Sequence, residues 1–271
     1  MYLAGITCFV IFFSVFFLFT QRSSSQTPSL SQSEPGFEEA EDSIPNIFIH
    51  PRIRGLENWE RAPGPVRVAL QAGHMHAEQA PDEQENLRKN TGASAAGTTE
   101  RDVNIKIAEE TKKILENNNI IVDILPTTIP MNYSADAFVA IHADGNLDTT
   151  ASGYKVAAPR RDFSGQAENF AKIMEQTYEQ ATGLKKDPNI TRNMRGYYAF
   201  NWRRYDHSLH PMTPGVIIET GFLTNPGDRR IIVSSPEKSA KGIANGIVQF
   251  LISSKILSAS TTIFSSSNIV E

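Results

Sequence analysis

The sequence predicts an α/β fold: a single, mostly parallel twisted sheet flanked by helices. Short apolar runs at residues 66–70, 137–141 and 216–218, each bounded by turn-forming or polar residues, have the length of buried strands. Longer stretches between and after them carry apolar residues at helical spacing. Each of the three runs also stops at a residue able to bind or serve a metal: Gly73-His74, His142 and Glu219. Open sheets of this class place ligands in the crevice at the carboxyl ends of their strands, so the same three observations predict where a site lies.

Taken in order, residues 1–21 form the first element. The run from 2 to 20 is apolar and uncharged, about long enough to cross a bilayer, and reads as a transmembrane signal anchor or a signal peptide. No small-x-small cleavage site follows it directly, which favours an uncleaved anchor. The single cysteine, Cys8, lies within this run, so no disulfide framework and no cysteine metal site exists. Residues 22–63 are rich in Ser, Gln, Pro and acids and read as a disordered tether.

Residues 64–255 form the predicted domain. A first strand covers 66–70, and 75–98 is polar and rich in Gly, Ala and Thr, a loop or an insertion at the rim of a site. A helix over 100–118 carries Val103, Ile107, Thr111, Ile114 and Leu115 on one face, with Thr99 and Asp102 as an Asp-type capping box. Strands follow at 120–125, 137–141 and 154–158. A second helix over 164–182 buries Ala167, Phe170, Ala171, Met174, Tyr178 and Ala181 and ends at Gly183. Residues 189–214 are rich in aromatics and arginine without a period, and read as loop with a short strand. Strand 216–219 comes next. A last helix over 236–253, capped by Ser235 with Pro236 in its first turn, presents Ala240, Ile243, Ala244, Ile247 and Leu251. Residues 256–271 read as a disordered tail.

With 271 residues, 40% of them hydrophobic, the chain can bury one good-sized core. Its formal charge of -4 argues against a nucleic-acid protein, which usually carries a basic face.

Hydrolytic zinc chemistry needs three protein ligands and one open position. His74 and His142 supply neutral imidazoles from two strand ends, and Glu100 supplies a charged oxygen from the first turn of a helix. Each has a plainer reading: a turn histidine, or a carboxylate facing a helix dipole. Glu219 ends an apolar run, where burying a lone charge is costly. It is either a salt-bridge partner of a nearby arginine or a general base that later donates a proton to a leaving amine.

Four ordered motifs then carry a specific resemblance. Glu219-Thr220-Gly221-Phe222-Leu223-Thr224-Asn225-Pro226 resembles the E-x-G-F-L-[ST]-N motif of the zinc-dependent N-acetylmuramoyl-L-alanine amidases, type 3. Ala140-Ile141-His142-Ala143 resembles the family's S-I-H-A-N, Glu100-Arg101-Asp102-Val103-Asn104-Ile105 its E-K-D-x-N-L helix start, and Gly73-His74 its D-P-G-H-G. The similarity spans about residues 66–251. It implies that His74, Glu100 and His142 bind zinc and that Glu219 is the catalytic carboxylate. It implies an α/β sheet flanked by helices, and peptidoglycan as substrate, cut between the muramic lactyl group and the L-alanine of the stem peptide. The chain departs from the family at Gln71, Ala72, Met75, Ala140 and Asp144, none of which removes a ligand. No long helical insertion separates His142 from the helix at 164, which predicts an open groove.

Further candidates are weaker. Asn193 and Arg195, with Asp144 and with Arg203 and Arg204, are candidates to meet stem-peptide groups, since arginine grips carboxylates bidentately. His76, His207 and His210 read as surface or supporting histidines. The expected cofactor is Zn2+ and the expected partners are peptidoglycan and, through the N-terminal segment, a membrane. Nothing in the sequence indicates an activator protein. The expected location is the cell envelope, outside the cytoplasm. Two rival readings remain: a zinc peptidase or other amide hydrolase on the same scaffold, and a catalytically inactive wall-binding module.

Overall fold

The structure, a computed structural model, describes residues 50–258. The expectations for residues 1–49 and 259–271, the membrane segment among them, lie outside the described residues. Among the described residues no helix is long and apolar enough to cross a membrane.

The central sheet is built from β1 (Arg67–Ala72), β4 (Ile121–Leu125), β5 (Ala137–Asp144), β6 (Lys155–Ala157) and β7 (Gly215–Phe222). A small antiparallel hairpin, β2 (Ser94–Ala95) with β3 (Thr98–Thr99), stands apart. The order of the main sheet is β4-β1-β5-β7-β6. The first four strands run parallel and β6 alone is antiparallel, paired to β7. This is the mostly parallel sheet that the apolar runs predict, and β1 and β5 are buried along nearly their whole length because both faces are covered.

The side chains of the strands alternate between two cores. Val68, Leu70, Val139, Ile141, Val216 and Ile218 pack on α1 (Glu100–Glu116), α2 (Ala167–Thr182) and α5 (Pro236–Ser253). The predicted stripes of these helices are the buried faces, with Ile107, Phe170 and Ile247 fully covered. Phe170 of α2 and Phe250 of α5 stack at 4.3 Å between ring centroids and 19° between planes. Gly183 ends α2 in the left-handed conformation, φ 72°, where a residue without Cβ carries no steric cost. Thr99 caps α1 by accepting from Asp102 N at 3.2 Å.

The opposite face is covered differently. Ala69, Phe138, Ala140, Ala157 and Ile217 pack on Met194, Tyr197, Tyr198, Phe200, Tyr205 and Leu209. The segment expected as loop with a short strand is instead a short helix α3 (Arg192–Arg195), a 3-10 turn (Tyr198–Phe200) and irregular chain, with a single isolated bridge from Leu209 to Tyr133. It has no period because it covers a sheet with individual aromatic rings and not with one stripe of a helix.

Other elements also differ from expectation. Strand β5 runs three residues and β7 four residues beyond their apolar runs. The stretch 75–98 folds into 3-10 turns and the hairpin, with Leu87 buried. Helix α2 begins at Ala167, because Asp162 Oδ2 accepts from Ala167 N at 2.7 Å and holds the preceding chain in a turn. Ser235 occupies the cap position of α5 without a side-chain bond. A further helix, α4 (Pro226–Ile232), follows β7, capped by Asn225, which accepts from Gly227 N and Asp228 N. The Asn225-Pro226 end of the C-terminal motif is therefore a helix start. Asp228 is buried and accepts from Phe222 N, Gly153 N and Ser152 Oγ, which ties the turn after β7 to the loop before β6. Residues 50–63, placed by composition in the tether, lie against the body: His50 meets Trp202 edge-on, and Arg52 donates to Trp202 O and Tyr205 O.

Candidate active site

The carboxyl ends of β1, β5 and β7 open into a cleft of about 430 Å³. Beyond Ala72 the chain keeps one more ladder bond, Gly73 N to Ile141 O at 3.0 Å, and then turns at His74. His74 takes a left-handed φ of 63°, a strained setting for a residue with a Cβ, worth about 1–3 kcal/mol, of the kind found where function fixes the backbone. Gly73 is required here for space: a Cβ would lie 2.4 Å from His142 Cε1.

Three buried side chains converge. His74 Nε2 lies 3.1 Å and His142 Nδ1 3.0 Å from the same oxygen, Glu100 Oε1. Their candidate ligand atoms all fall within 4.8 Å of one another. Tetrahedral ligands about 2.0–2.1 Å from a zinc ion stand roughly 3.3 Å apart, close to the two separations seen. The outer nitrogen of His74, Nδ1, is 3.1 Å from Asn90 O. A carbonyl only accepts, so Nδ1 carries a hydrogen and Nε2 is the nitrogen left to serve an ion on the inner side. The outer nitrogen of His142, Nε2, is 3.0 Å from Tyr197 Oη.

Glu100 is clamped from several sides. Its Oε2 accepts from Ala93 N at 2.8 Å, and its Oε1 from Ala143 N at 3.2 Å. Its own N–H donates to Ala93 O, so the chain just before β2 is pinned to the first turn of α1. Burial by itself raises the Glu100 carboxyl, but the adjoining His74 and His142 outweigh it and hold it well below the usual carboxylate range. Asn104, one turn along α1, donates to Gly73 O at 3.2 Å and keeps that turn in place. Gly92 also faces the cluster in a left-handed turn, φ 72°, and a Cβ there would meet Glu100 Oε2 at 2.5 Å.

Glu219 lies in register with His142 across β5 and β7 and lines the cleft. Its antiparallel partner on β6 is Lys155. Lys155 is buried, ion-paired to Asp144 and, at 3.3 Å, to Asp187, and its ammonium sits 4.6 Å from the Phe222 ring centroid. Burial works to discharge this lysine, but Asp144, Glu219 and Asp187 prevail and raise its pKa.

The structure thus brings His74, Glu100, His142 and Glu219 to one cleft. Asp144 and Asn193 also line it, although Asp144 is engaged by Lys155. Arg195 lines a smaller neighbouring cavity with Arg203 and pairs with Glu168 at 3.4 Å. His76 is an exposed partner of Glu78, His207 pairs with Glu83 at 2.7 Å, and His210 packs on Trp59. Sequence reasoning passed over Asn90, Tyr197 and Lys155. A lysine inside a predicted buried strand was the one available signal. Tyr197 meets its histidine across 55 positions, which leaves no local pattern.

The N-acetylmuramoyl-L-alanine amidase family matches residues 68–249, more than half of the chain. The chain belongs to this family, type 3. The chain is 26% identical over 199 residues to the N-acetylmuramoyl-L-alanine amidases AmiA of Salmonella typhimurium and Escherichia coli, covering 57% of this chain and 69% of each relative. Among solved structures, an N-acetylmuramoyl-L-alanine amidase of Clostridium difficile shares the fold with a TM-score of 0.51 and 21% identity, over 70% of this chain and 98% of that one. An N-acetylmuramyl-L-alanine amidase of Mycobacterium smegmatis gives 0.51 and 20%, over 69% and 97%. The family's name states its reaction, cleavage of the amide between N-acetylmuramic acid and L-alanine in peptidoglycan. The expected α/β architecture and amidase class both stand.

Proposed function

We propose that this amidase is a zinc enzyme, with His74, Glu100 and His142 as ligands and Glu219 as the catalytic carboxylate. The observation that carries the reading is the convergence of two inward-turned imidazole nitrogens on one ionised carboxylate oxygen in a buried position. Two imidazole nitrogens and an anion this close together are arranged to share a cation. The donor set, two imidazoles and one carboxylate, is that of catalytic zinc sites with one open position. A zinc ion bound there supplies Lewis acidity to a carbonyl oxygen and to a water.

The chain's own groups supply the rest. Glu219 takes the proton from the attacking water and returns it to the departing alanine nitrogen, so that the C–N bond breaks without expelling an amide anion. Lys155, in register beside it, favours the ionised form that a base requires. Asn193 and Asp144 border the cleft where the stem peptide enters. The substrate is peptidoglycan in the cell envelope, reached outside the cytoplasm, and the apolar run at 2–20 with the chain to 63 supports attachment to a membrane. Digestion of purified cell wall tests the reading. Free muramic lactyl ends with new alanine amino termini are expected, whereas new termini within the stem peptide would assign a peptidase instead.

A further inference from the structure

The outer nitrogen of His142 opens onto a buried chain of hydrogen bonds. Tyr197 Oη lies 3.0 Å from His142 Nε2, 2.8 Å from Gln71 Oε1 and 2.7 Å from Tyr198 Oη. Gln71 Nε2 reaches Thr127 O at 2.5 Å and Tyr198 Oη at 3.1 Å, and Tyr198 Oη reaches Thr127 O at 2.8 Å. Gln71, Tyr198 and His142 are all buried, and Gln71 sits on β1 in register with Ala140, two residues before His142 on β5.

Donor and acceptor chemistry limits where the hydrogens of this chain sit. Thr127 O only accepts, so the Gln71 amide must turn its NH2 toward it and its Oε1 toward Tyr197. That oxygen is buried and only accepts, so Tyr197 gives it the single hydrogen of its hydroxyl. Tyr197 Oη then has only lone pairs left for its other neighbours. Thr127 O already accepts from Gln71 Nε2, so the single hydrogen of Tyr198 is free to serve Tyr197 Oη. Facing an oxygen with no hydrogen to offer, His142 Nε2 must be the donor. Its Nδ1 is 3.0 Å from Glu100 Oε1, on the side where an ion would take its lone pair.

We infer that Tyr197 and Gln71 are positioning residues that fix which nitrogen of His142 is presented to the metal. The Thr127 carbonyl is the fixed end of the chain. His74 is set directly by a backbone carbonyl, Asn90 O, whereas His142 is set through a phenol, and a phenol alone could equally donate. Gln71 removes that ambiguity. Gln71 is one of the positions where the chain departs from the family's motif, and it pairs here with Tyr197 from the aromatic segment.

The inference rests on the proposed metal centre, and the test separates the two. Tyr197→Phe removes the hydroxyl and keeps the ring, while Tyr198→Phe removes a hydroxyl of the same cluster that does not touch His142. Zinc affinity is read by competition with a chelator, after thermal melts of the metal-free proteins establish that both variants fold. Tyr197→Phe is expected to bind zinc about 10–100-fold more weakly, and Tyr198→Phe to stay within about 3-fold of wild type. Nitrogen-15 NMR of the metal-free wild type at about pH 8.5, above the ordinary imidazole pKa of about 6.5, is expected to find the His142 hydrogen on Nε2. A His142 Nε2 without a hydrogen, or wild-type affinity in Tyr197→Phe, overturns the relay. A wild type that takes up no zinc overturns the metal centre instead, and the spectrum still decides the nitrogen.

Discussion

Glu219 and His142 are register partners on neighbouring parallel strands, so their side chains leave the same face of the sheet at the same height. One residue's slip in β7 would send Glu219 to the helical face, against α2 and α5. The register of β5 and β7 therefore sets the distance between Glu219 and the His74–Glu100–His142 cluster. Thr220, next along β7, secures it by donating to His142 O at 2.8 Å.

Glu219→Gln keeps the size and register and removes the proposed base. A fall in turnover of about 10²–10⁴-fold is expected, the usual worth of general base catalysis, with zinc binding and thermal melt unchanged. A zymogram on murein reads it directly. Full clearing by the variant removes Glu219 from the reaction.

Lys155 tests whether the floor of the cleft is an electrostatic unit. Asp144 and Asp187 both face its ammonium in a buried setting. Lys155→Met leaves two carboxylates without their cation, and breaking a buried pair in this way costs about 3–5 kcal/mol. Chemical denaturation should show that loss. The doubly altered Lys155→Met with Asp144→Asn should recover part of it, and no recovery would mean the lysine stabilises by packing alone.

How far these relationships can be read from the sequence depends on their range. The apolar runs at β1, β5 and β7 announce themselves because a strand covered on both faces is apolar throughout. His142 and Glu219 stand out because they interrupt such runs. Helix α5 is legible to the residue, since Pro236 starts it and a continuous stripe carries it to Ser253. The aromatic segment from Met194 to Leu209 is opaque: its rings are placed by the sheet they cover and not by a local period. For the same reason Tyr197 and Gln71, joined across 126 positions, cannot be paired by any local pattern. Helix α4 was hidden inside a motif read for chemistry, where Asn225 and Pro226 are ordinary start signals.

Chelation of the metal should abolish activity and spare the fold. Both cores are built from residues outside the His74–Glu100–His142 cluster. Far-ultraviolet dichroism should therefore be unchanged after treatment with a strong chelator, with activity restored by added zinc. Loss of the secondary structure on chelation would instead make the ion a structural one.

The packing of α2 on α5 gives a prediction independent of the site. Phe170 is fully buried and stacked on Phe250. Phe170→Ala should cost about 3–5 kcal/mol through lost burial and the cavity left behind. Urea denaturation with an unchanged slope measures it, and a cost below about 1 kcal/mol would mean that the helices close the gap.

Acid stability is expected to depend on Asp123, at the edge strand β4. Burial pushes its carboxyl up, but the Tyr133 hydroxyl and the Arg67 guanidinium, each 2.5 Å away, outweigh it and leave the carboxyl below its ordinary value. A carboxylate whose folded pKa is depressed stabilises the fold above its unfolded value of about 3.9, and that contribution disappears as pH falls through the lower folded value. The wild type should lose stability as the pH drops from about 5 to about 3, read as a falling urea midpoint. Asp123→Asn should begin lower at neutral pH and fall less steeply over the same range, because its amide has no proton to gain. Parallel curves for the two proteins would place the acid sensitivity at other carboxylates, of which Glu83, held low by His207 and the Asp206 N–H, is the next to replace.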